Sequence, residues 1–318
     1  MPWPQVLDLY DILDDGGVNG EVVAAWLRKH GADDVSVTTV EGDKGSTDFV
    51  KVVIPGSTGR RRGGKAPTLG VIGRLGGLGA RPERIGFVSD GDGALVALAV
   101  AAKLARMSQR GDQLPGDVII ATHVCPDAPT RPHHPVPFMD SPVDIADINR
   151  HEVDEAMDAV LTVDTTKGNR ICNHNGFAIS PTVKQGWILR LSDDLLDLYS
   201  QVTGRSPVVL PLTMQDITPY GNDVFHINSI LQPATATSAP VVGVAITTES
   251  AVPGCGTGAT DLASVESAAR FCIETAKSFG AGTCQFYDND DFERLHGLYG
   301  PMDQLQTIGN PIDGSTTR

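Results

Sequence analysis

The sequence predicts an α/β protein with a mixed, mainly parallel sheet covered by helices on both faces. Three observations predict it. Residues 118–122 (VIIAT) and 160–163 are continuous β-branched and apolar runs, the pattern of strands buried on both faces. Residues 93–107 (GALVALAVAAKLARM) are apolar nearly all round, as a helix packed deep against a sheet would be. Strand-like and helix-like segments also alternate along the chain, which points to parallel strands joined by helical crossovers.

The elements follow in order. Residues 21–30 place Val22, Val23, Trp26 and Leu27 on one side of a helix, and Gly31 supplies a left-handed stop. Residues 35–40 and 49–54 read as strands, the second closed by Pro55 and Gly56. Residues 56–65, with Arg60, Arg61, Arg62 and Lys65 among glycines, read as a solvated loop. Residues 69–72 and 85–88 read as short buried strands. The stretch 126–142 holds six prolines, so no regular structure is expected there. Ser192 is placed to cap a helix running through Leu195, Leu196, Leu198 and Tyr199 to Gly204. Residues 208–210 and 241–246 read as further strands. Thr260 is the expected cap of a last long helix ending near Gly280. The tail after Tyr287 is acidic, then rich in Gly, Pro and Thr, and is expected to wrap the surface or stay mobile. With no internal repeat or long linker, the organisation is one domain over 1–285 and a C-terminal extension over 286–318.

Composition narrows the function. The chain of 318 residues is 41% hydrophobic, 20% charged and 5% aromatic, which suits a globular protein. A net charge of −14 repels phosphate backbones and anionic lipid, so neither nucleic acid nor membrane is an expected partner. No segment approaches the roughly 18–20 apolar residues that span a bilayer. The start MPWPQVLDLYDILDD has neither a basic nor an apolar leader region. Five cysteines, an odd number at wide spacing with no CxxC pair, fit a reducing cytoplasm.

Ligands in open α/β sheets bind at loops leaving the carboxyl ends of strands. Five polar segments are candidates for such loops: 89–93 (SDGDG), 123–127 (HVCPD), 164–167 (DTTK), 221–226 with Asp223 and His226, and 254–258 (GCGTG). A carboxylate directly after an apolar strand has no packing reason to be there. Each segment also has a plainer reading. Asp90 and Asp92 could cap the apolar helix. Cys125 could be a small buried apolar side chain. His133 and His134, among prolines, fit a surface loop, and 254–258 fit a flexible loop or an anion-holding backbone nest.

At these segments the chain resembles the co-catalytic zinc exopeptidases, the clan of aminopeptidases and carboxypeptidase-like amidohydrolases. The order of features matches over most of residues 5–280. SDGDGALVALAVAAKLA is similar to the clan's bridging-Asp turn and apolar helix. GDVIIATHVCPDA is similar to the strand carrying its Glu pair, AVLTVD to the strand ending in the next metal Asp, and GND to its Gly-Thr-Asp turn. VVGVAITTESAVPGCGTGATDLASVESAARF is similar to the last strand, the final metal-His loop and the last helix. About a dozen residues separate GVIGRLGG from SDGDG, too few for an inserted β-barrel, so the likeness is to a one-domain core. Overall the chain looks like an uncharacterised microbial family with this fold.

The ligands depart from the clan's pattern. The first His-x-Asp falls at Gly73-Arg74-Leu75, the Glu pair near Cys125-Pro126, and the final His near Gly254-Cys255. Only Asp90 and Asp164 stand in place. The resemblance implies a hydrolase of a small amide or short peptide with a rebuilt divalent-metal site, zinc first. Asp90, His123, Cys125 and Asp164 would be ligands and Asp127 the general base. Arg74 would take a substrate carboxylate, with Asp223 and His226 lining the substrate site. Two alternatives stay open. One is a metal-free enzyme whose glycine-exposed Cys255 is the nucleophile and His226 its base. The other is a non-catalytic small-ligand-binding relative whose carboxylates Arg74 or Lys167 neutralises. The likeness also implies a homo-oligomer.

Overall fold

The computed structural model describes residues 1–74, 86–126, 128–132, 134, 138–212, 229–255 and 259–306. Helices α1 (Trp3–Leu13) and α2 (Gly20–Lys29) open the chain, followed by a hairpin of β1 (Asp34–Gly42) and β2 (Gly45–Ile54). Then come β3 (Leu69–Gly73), α3 (Asp92–Gln109) and β4 (Val118–Val124). Two short strands, β5 (Thr130–Arg131) and β6 (Phe138–Met139), pair with each other ahead of α4 (Ile145–Glu152). The second half carries β7 (Ala159–Thr166), β8 (Gly176–Ile179), β9 (Thr182–Lys184), β10 (Trp187–Leu189) and α5 (Asp193–Thr203). A 3-10 turn (Ser229–Thr235), β11 (Val241–Thr247), α6 (Leu262–Gly280) and α7 (Asn289–Tyr299) complete it.

The main sheet runs β1-β2-β4-β3-β7-β11-β9-β10, with β8 also paired to β11. Its centre, β4-β3-β7-β11, is parallel throughout, and the flanking strands are antiparallel. The mixed, mainly parallel sheet is therefore observed, with the two apolar runs at its centre. Each of these strands is buried along its length except at Thr165, which is why their residues show no polar alternation.

One face of the sheet packs against α2, α3 and α6, with α1 against α3 and α6 and with α5 against α6. The other carries α4 and the 3-10 turn over Ile72, Ile119, Val160 and Ala245. Helix α3 buries every residue from Asp92 to Ala102. Its start lies directly on the sheet. A Cβ added to Gly73 would come within 2.3 Å of the Gly93 carbonyl oxygen, and one on Gly93 within 2.5 Å of the Arg74 and Val163 carbonyl oxygens. Only glycine at both positions lets the helix sit that close. Removing a buried leucine such as Leu95 would cost about 2–5 kcal/mol.

Several local expectations hold and several are corrected. Helix α5 begins at Ser192, whose hydroxyl accepts the Asp194 N–H, and ends at left-handed Gly204. Gly31 is left-handed after α2, but Val22 faces solvent because Gly20, Val23, Ala24 and Leu27 form the buried stripe. Asn19 caps that helix. Helix α6 is capped by Asp261 rather than Thr260, whose hydroxyl turns to Asp92. Neither Asp90 nor Asp92 caps α3 through its side chain. Residues 86–88 lie in no strand, Ile85 falls outside the described residues, and 208–210 contribute one isolated bridge from Val209 to Ile179. Within the proline-rich stretch, β5 and β6 pair antiparallel over two residues each, Thr130–Arg131 and Phe138–Met139, which contain no proline and so keep their backbone donors. Arg60–Arg62 and Lys65 are exposed, as a solvated loop requires, and the three arginines form a short 3-10 turn in which Arg60 pairs with Asp158. The acidic stretch after Tyr287 is helical: Asp288 caps α7 by accepting the Asp291 N–H.

Candidate functional site

Polar residues gather at the carboxyl ends of the central strands. The register pairs Gly73 with Thr122 on one side and with Val163 on the other. One residue further on, the Arg74 N–H donates to the Val163 oxygen at 2.8 Å. Arg74 therefore stands between His123 on β4 and Asp164 on β7. His123 and Asp164 belong to the strands themselves, not to the loops after them.

Helix α4 closes over this row. Glu152 is fully buried and lies against both basic residues, with Oε1 2.7 Å from His123 Nδ1 and Oε2 3.3 Å from Arg74 Nε. The Arg74 guanidinium also donates to Asn149 Oδ1, and the Asn149 amide reaches the Gln232 carbonyl and the Thr235 hydroxyl. Charges with so little water around them persist only where their partners are fixed. Arg74, expected to take a substrate carboxylate, already holds a carboxylate of its own chain.

A second group forms where α3, the 139 segment and the 254 loop meet. The Asp90 N–H and the Ser89 hydroxyl both donate to the Gly254 carbonyl, at 2.8 and 2.9 Å. The Asp90 carboxylate accepts the Met139 N–H at 3.1 Å. A Cβ on residue 254 would lie 1.9 Å from Asp90 Oδ1, so the carboxylate occupies the space that glycine leaves. Cys255 follows. The flanking glycines do not expose it: it is 7% exposed and belongs to a small apolar cluster with Val88, Cys125, Ala128 and Met139. Cys125 is buried, its thiol directed at the Ser46 carbonyl.

A third group ties the same loops together. Asp92 is buried and accepts from Lys167 Nζ at 2.9 Å and from the Thr260 hydroxyl at 2.8 Å. Burial pushes its carboxyl up to about 6, against the opposing pull of the Lys167 ammonium. The Lys167 side chain is itself 4% exposed. Lys167 thus neutralises Asp92, not Asp90 or Asp164. The Thr165 hydroxyl reaches the Ser89 carbonyl at 2.8 Å, joining the end of β7 to the turn that carries Asp90.

The structure therefore places Arg74, His123 and Asp164 in one row, and Asp90, Cys125 and Cys255 around the Met139 segment. Asp127, Asp223 and His226 lie outside the described residues, as does His133; His134 is exposed, as a surface loop requires. Among the described residues no group of three or more His, Cys, Asp or Glu side chains is close enough together to hold a metal ion. Sequence reasoning missed Glu152 and Asn149. Their only signal is the amphipathic pattern of α4, in which a buried glutamate looks like any other helix residue. A large cleft of about 1120 Å³ opens elsewhere, near Met157, Pro240, Phe286 and Tyr287 toward the amino ends of β7 and β11. It reaches the polar row at Asn149 and Thr235. No described helix is long and apolar enough to cross a membrane.

Fold and site together define a one-sheet α/β protein with buried ionic groups at the carboxyl ends of its parallel strands. The chain belongs to the family described as protein of unknown function (DUF1177), whose model matches residues 38–309. Its fold is similar to that of the bottromycin maturation enzyme BotP. The TM-score is 0.53 at 17% identity, over 88% of this chain and 70% of that one. A second structure, BotP in complex with Mn, gives 0.50 at 15% identity over 87% and 70%. At such identities the likeness is one of fold. No curated protein matches the sequence.

Proposed function

We propose that the protein is a hydrolase of a small amide or short peptide, with a divalent metal held at the carboxyl ends of β3, β4, β7 and β11. The observation that carries this reading is the pair of buried carboxylates Asp90 and Asp164. They flank the junction of α3 with β3 and β7 in a fold shared with a protein solved in complex with Mn. Two carboxylates suit a hard or borderline divalent ion. Asp90 and Asp164 by themselves do not complete a coordination shell, and His123 and Cys125 are the further ligands of this reading, with Asp127 as its general base. His123 is the best described addition, because Glu152 on Nδ1 is the kind of carboxylate that orients a ligand histidine. A bound ion would polarise the substrate carbonyl and acidify a water. The chain's own contribution is to fix Asp90 through Gly254 and Met139, and to hold Arg74 and His123 in place through Glu152. Zinc and manganese are both candidates, and the substrate is a small molecule or short peptide.

Metal analysis of protein purified without chelator, with zinc, manganese or cobalt supplied, tests the reading. We expect at least one ion per chain, and loss of it in Asp90→Asn and Asp164→Asn proteins whose thermal transitions remain cooperative. Metal well below one per chain in the wild type would overturn it.

A further inference from the structure

The cleft near the amino ends of β7 and β11 lies at the opposite end of the parallel strands from Asp90 and Asp164. Val153, Met157, Pro240, Phe279, Phe286 and Tyr287 give it apolar sides, and its volume of about 1120 Å³ has room for a small molecule. Most polar groups of its wall already have partners. The Gln306 amide donates to the Ala234 and Thr237 carbonyls, and the Asn149 amide to the Gln232 carbonyl and the Thr235 hydroxyl. Arg150 pairs with Asp147, and Asp158 with Arg60.

Lys184, at the end of β9, differs from these. It is half-buried, and its Nζ donates to the Ser238 carbonyl at 2.8 Å. The same Nζ lies 5.3 and 5.1 Å from the centres of the Tyr287 and Phe292 rings. An ammonium has three donors, and the carbonyl takes one. Ring faces attract the charge but accept hydrogen bonds weakly. Among the described residues no carboxylate forms an ion pair with Lys184. Glu293, exposed on α7, attracts it from farther off, and loss of water outweighs that pull, holding the ammonium below its ordinary value.

We propose that this cleft binds a small monocarboxylic acid with an apolar body, its carboxylate on the Lys184 ammonium and its body along the apolar wall. Charge and shape select this class. One ammonium with donors to spare matches one anionic group. Glu155 is exposed in the same wall and the chain carries −14, so a phosphate ester or other polyanion is repelled. The apolar sides favour a hydrocarbon body, and the partial exclusion of water strengthens the ion pair. The Ser238 carbonyl and the two rings fix Nζ in advance, so little side-chain freedom is lost on binding. The site needs no metal, which separates it from the proposed hydrolytic centre.

Calorimetric titration of the full-length protein tests the proposal, with 4-phenylbutanoate and its neutral amide as probes and a metal chelator present. We expect one acid bound per chain and the amide held at least about tenfold more weakly, the usual gain from a charge-assisted contact. Lys184→Met should erase the preference for the acid, and Lys184→Arg should keep it. Ala236→Trp, at an exposed position of the cleft wall, should weaken both probes with an unchanged thermal midpoint. Equal binding of acid and amide overturns the proposal, as does a protein that binds neither. So does a preference for the acid that survives Lys184→Met, binding indifferent to Ala236→Trp, or binding that disappears with the chelator.

Discussion

His123 Nδ1 lies 2.7 Å from Glu152 Oε1, and the same carboxylate turns its other oxygen to Arg74. One acid from α4 thus holds two basic side chains from adjacent strands. Removing it leaves Arg74 buried without that counter-charge. Glu152→Ala should destabilise the protein by about 3–5 kcal/mol, the usual cost of breaking a buried pair. Urea unfolding at pH 7 measures it. Restoring most of that loss with Arg74→Met in the same chain would show that the cost is the stranded charge. A loss below about 1 kcal/mol would mean the pair does not hold the fold.

Asp92 and Lys167 should show the same non-additivity. Lys167→Met alone leaves a carboxylate in a dry site, and Asp92→Asn alone leaves an ammonium there. The double variant should unfold closer to the wild type than either single one, with a coupling of about 1–3 kcal/mol. Additive losses would refute the pairing as an energetic unit.

Asp92 and Asp140, two of the acids with shifted carboxyls, pull stability in opposite directions with pH. Asp92 is raised to about 6 by burial, so the folded state binds its proton more tightly than the unfolded chain. Its contribution is greatest below the unfolded value and is lost as pH rises through about 6. Asp140 behaves the other way. Burial raises its carboxyl, but bonds from Lys44 and Arg131 outweigh this and hold it below its ordinary value. That contribution is present at neutral pH and fades as acid protonates the group. Asp140→Asn should therefore flatten the acid side of the stability curve, and Asp92→Asn the neutral side. Thermal midpoints decide it, from neutral pH down to below about 4 for Asp140 and between about pH 4 and pH 8 for Asp92, and unchanged slopes in those windows would contradict the two assignments.

Gly254 is predicted to be intolerant of a side chain. Gly254→Ala would drive a methyl group into the Asp90 carboxylate, displacing it or straining the loop at a cost of about 1–3 kcal/mol. Under the metal reading, bound ion should fall with it. An alanine protein that keeps wild-type stability and metal would show that the loop gives way without moving Asp90.

The five thiols are all buried. Burial pushes Cys284 up to about 12 and raises Cys172 and Cys272 as well. Alkylation of the native protein at neutral pH should be slow at every cysteine and fast after unfolding. Rapid, selective labelling of Cys255 would favour its reading as a nucleophile.

What the sequence determined by itself is local. The β-branched runs of β4 and β7, the all-round apolar α3, and the Ser192 and Gly204 ends of α5 are each written within one segment. Their structure follows from side-chain sterics and capping that need no distant partner. The place of Asp164 near the carboxyl end of an apolar strand was legible for the same reason, whereas the strand expected before Asp90 is not observed at 86–88. Tertiary structure alone decided which groups meet. His123 finds Glu152 across 29 residues, Asp92 finds Lys167 across 75, and Thr260 leaves its expected cap to reach Asp92 across 168. A buried charge takes whichever partner the fold brings within reach, because an unmatched one is too costly to keep. That choice is made by strand order and register, which no single segment contains.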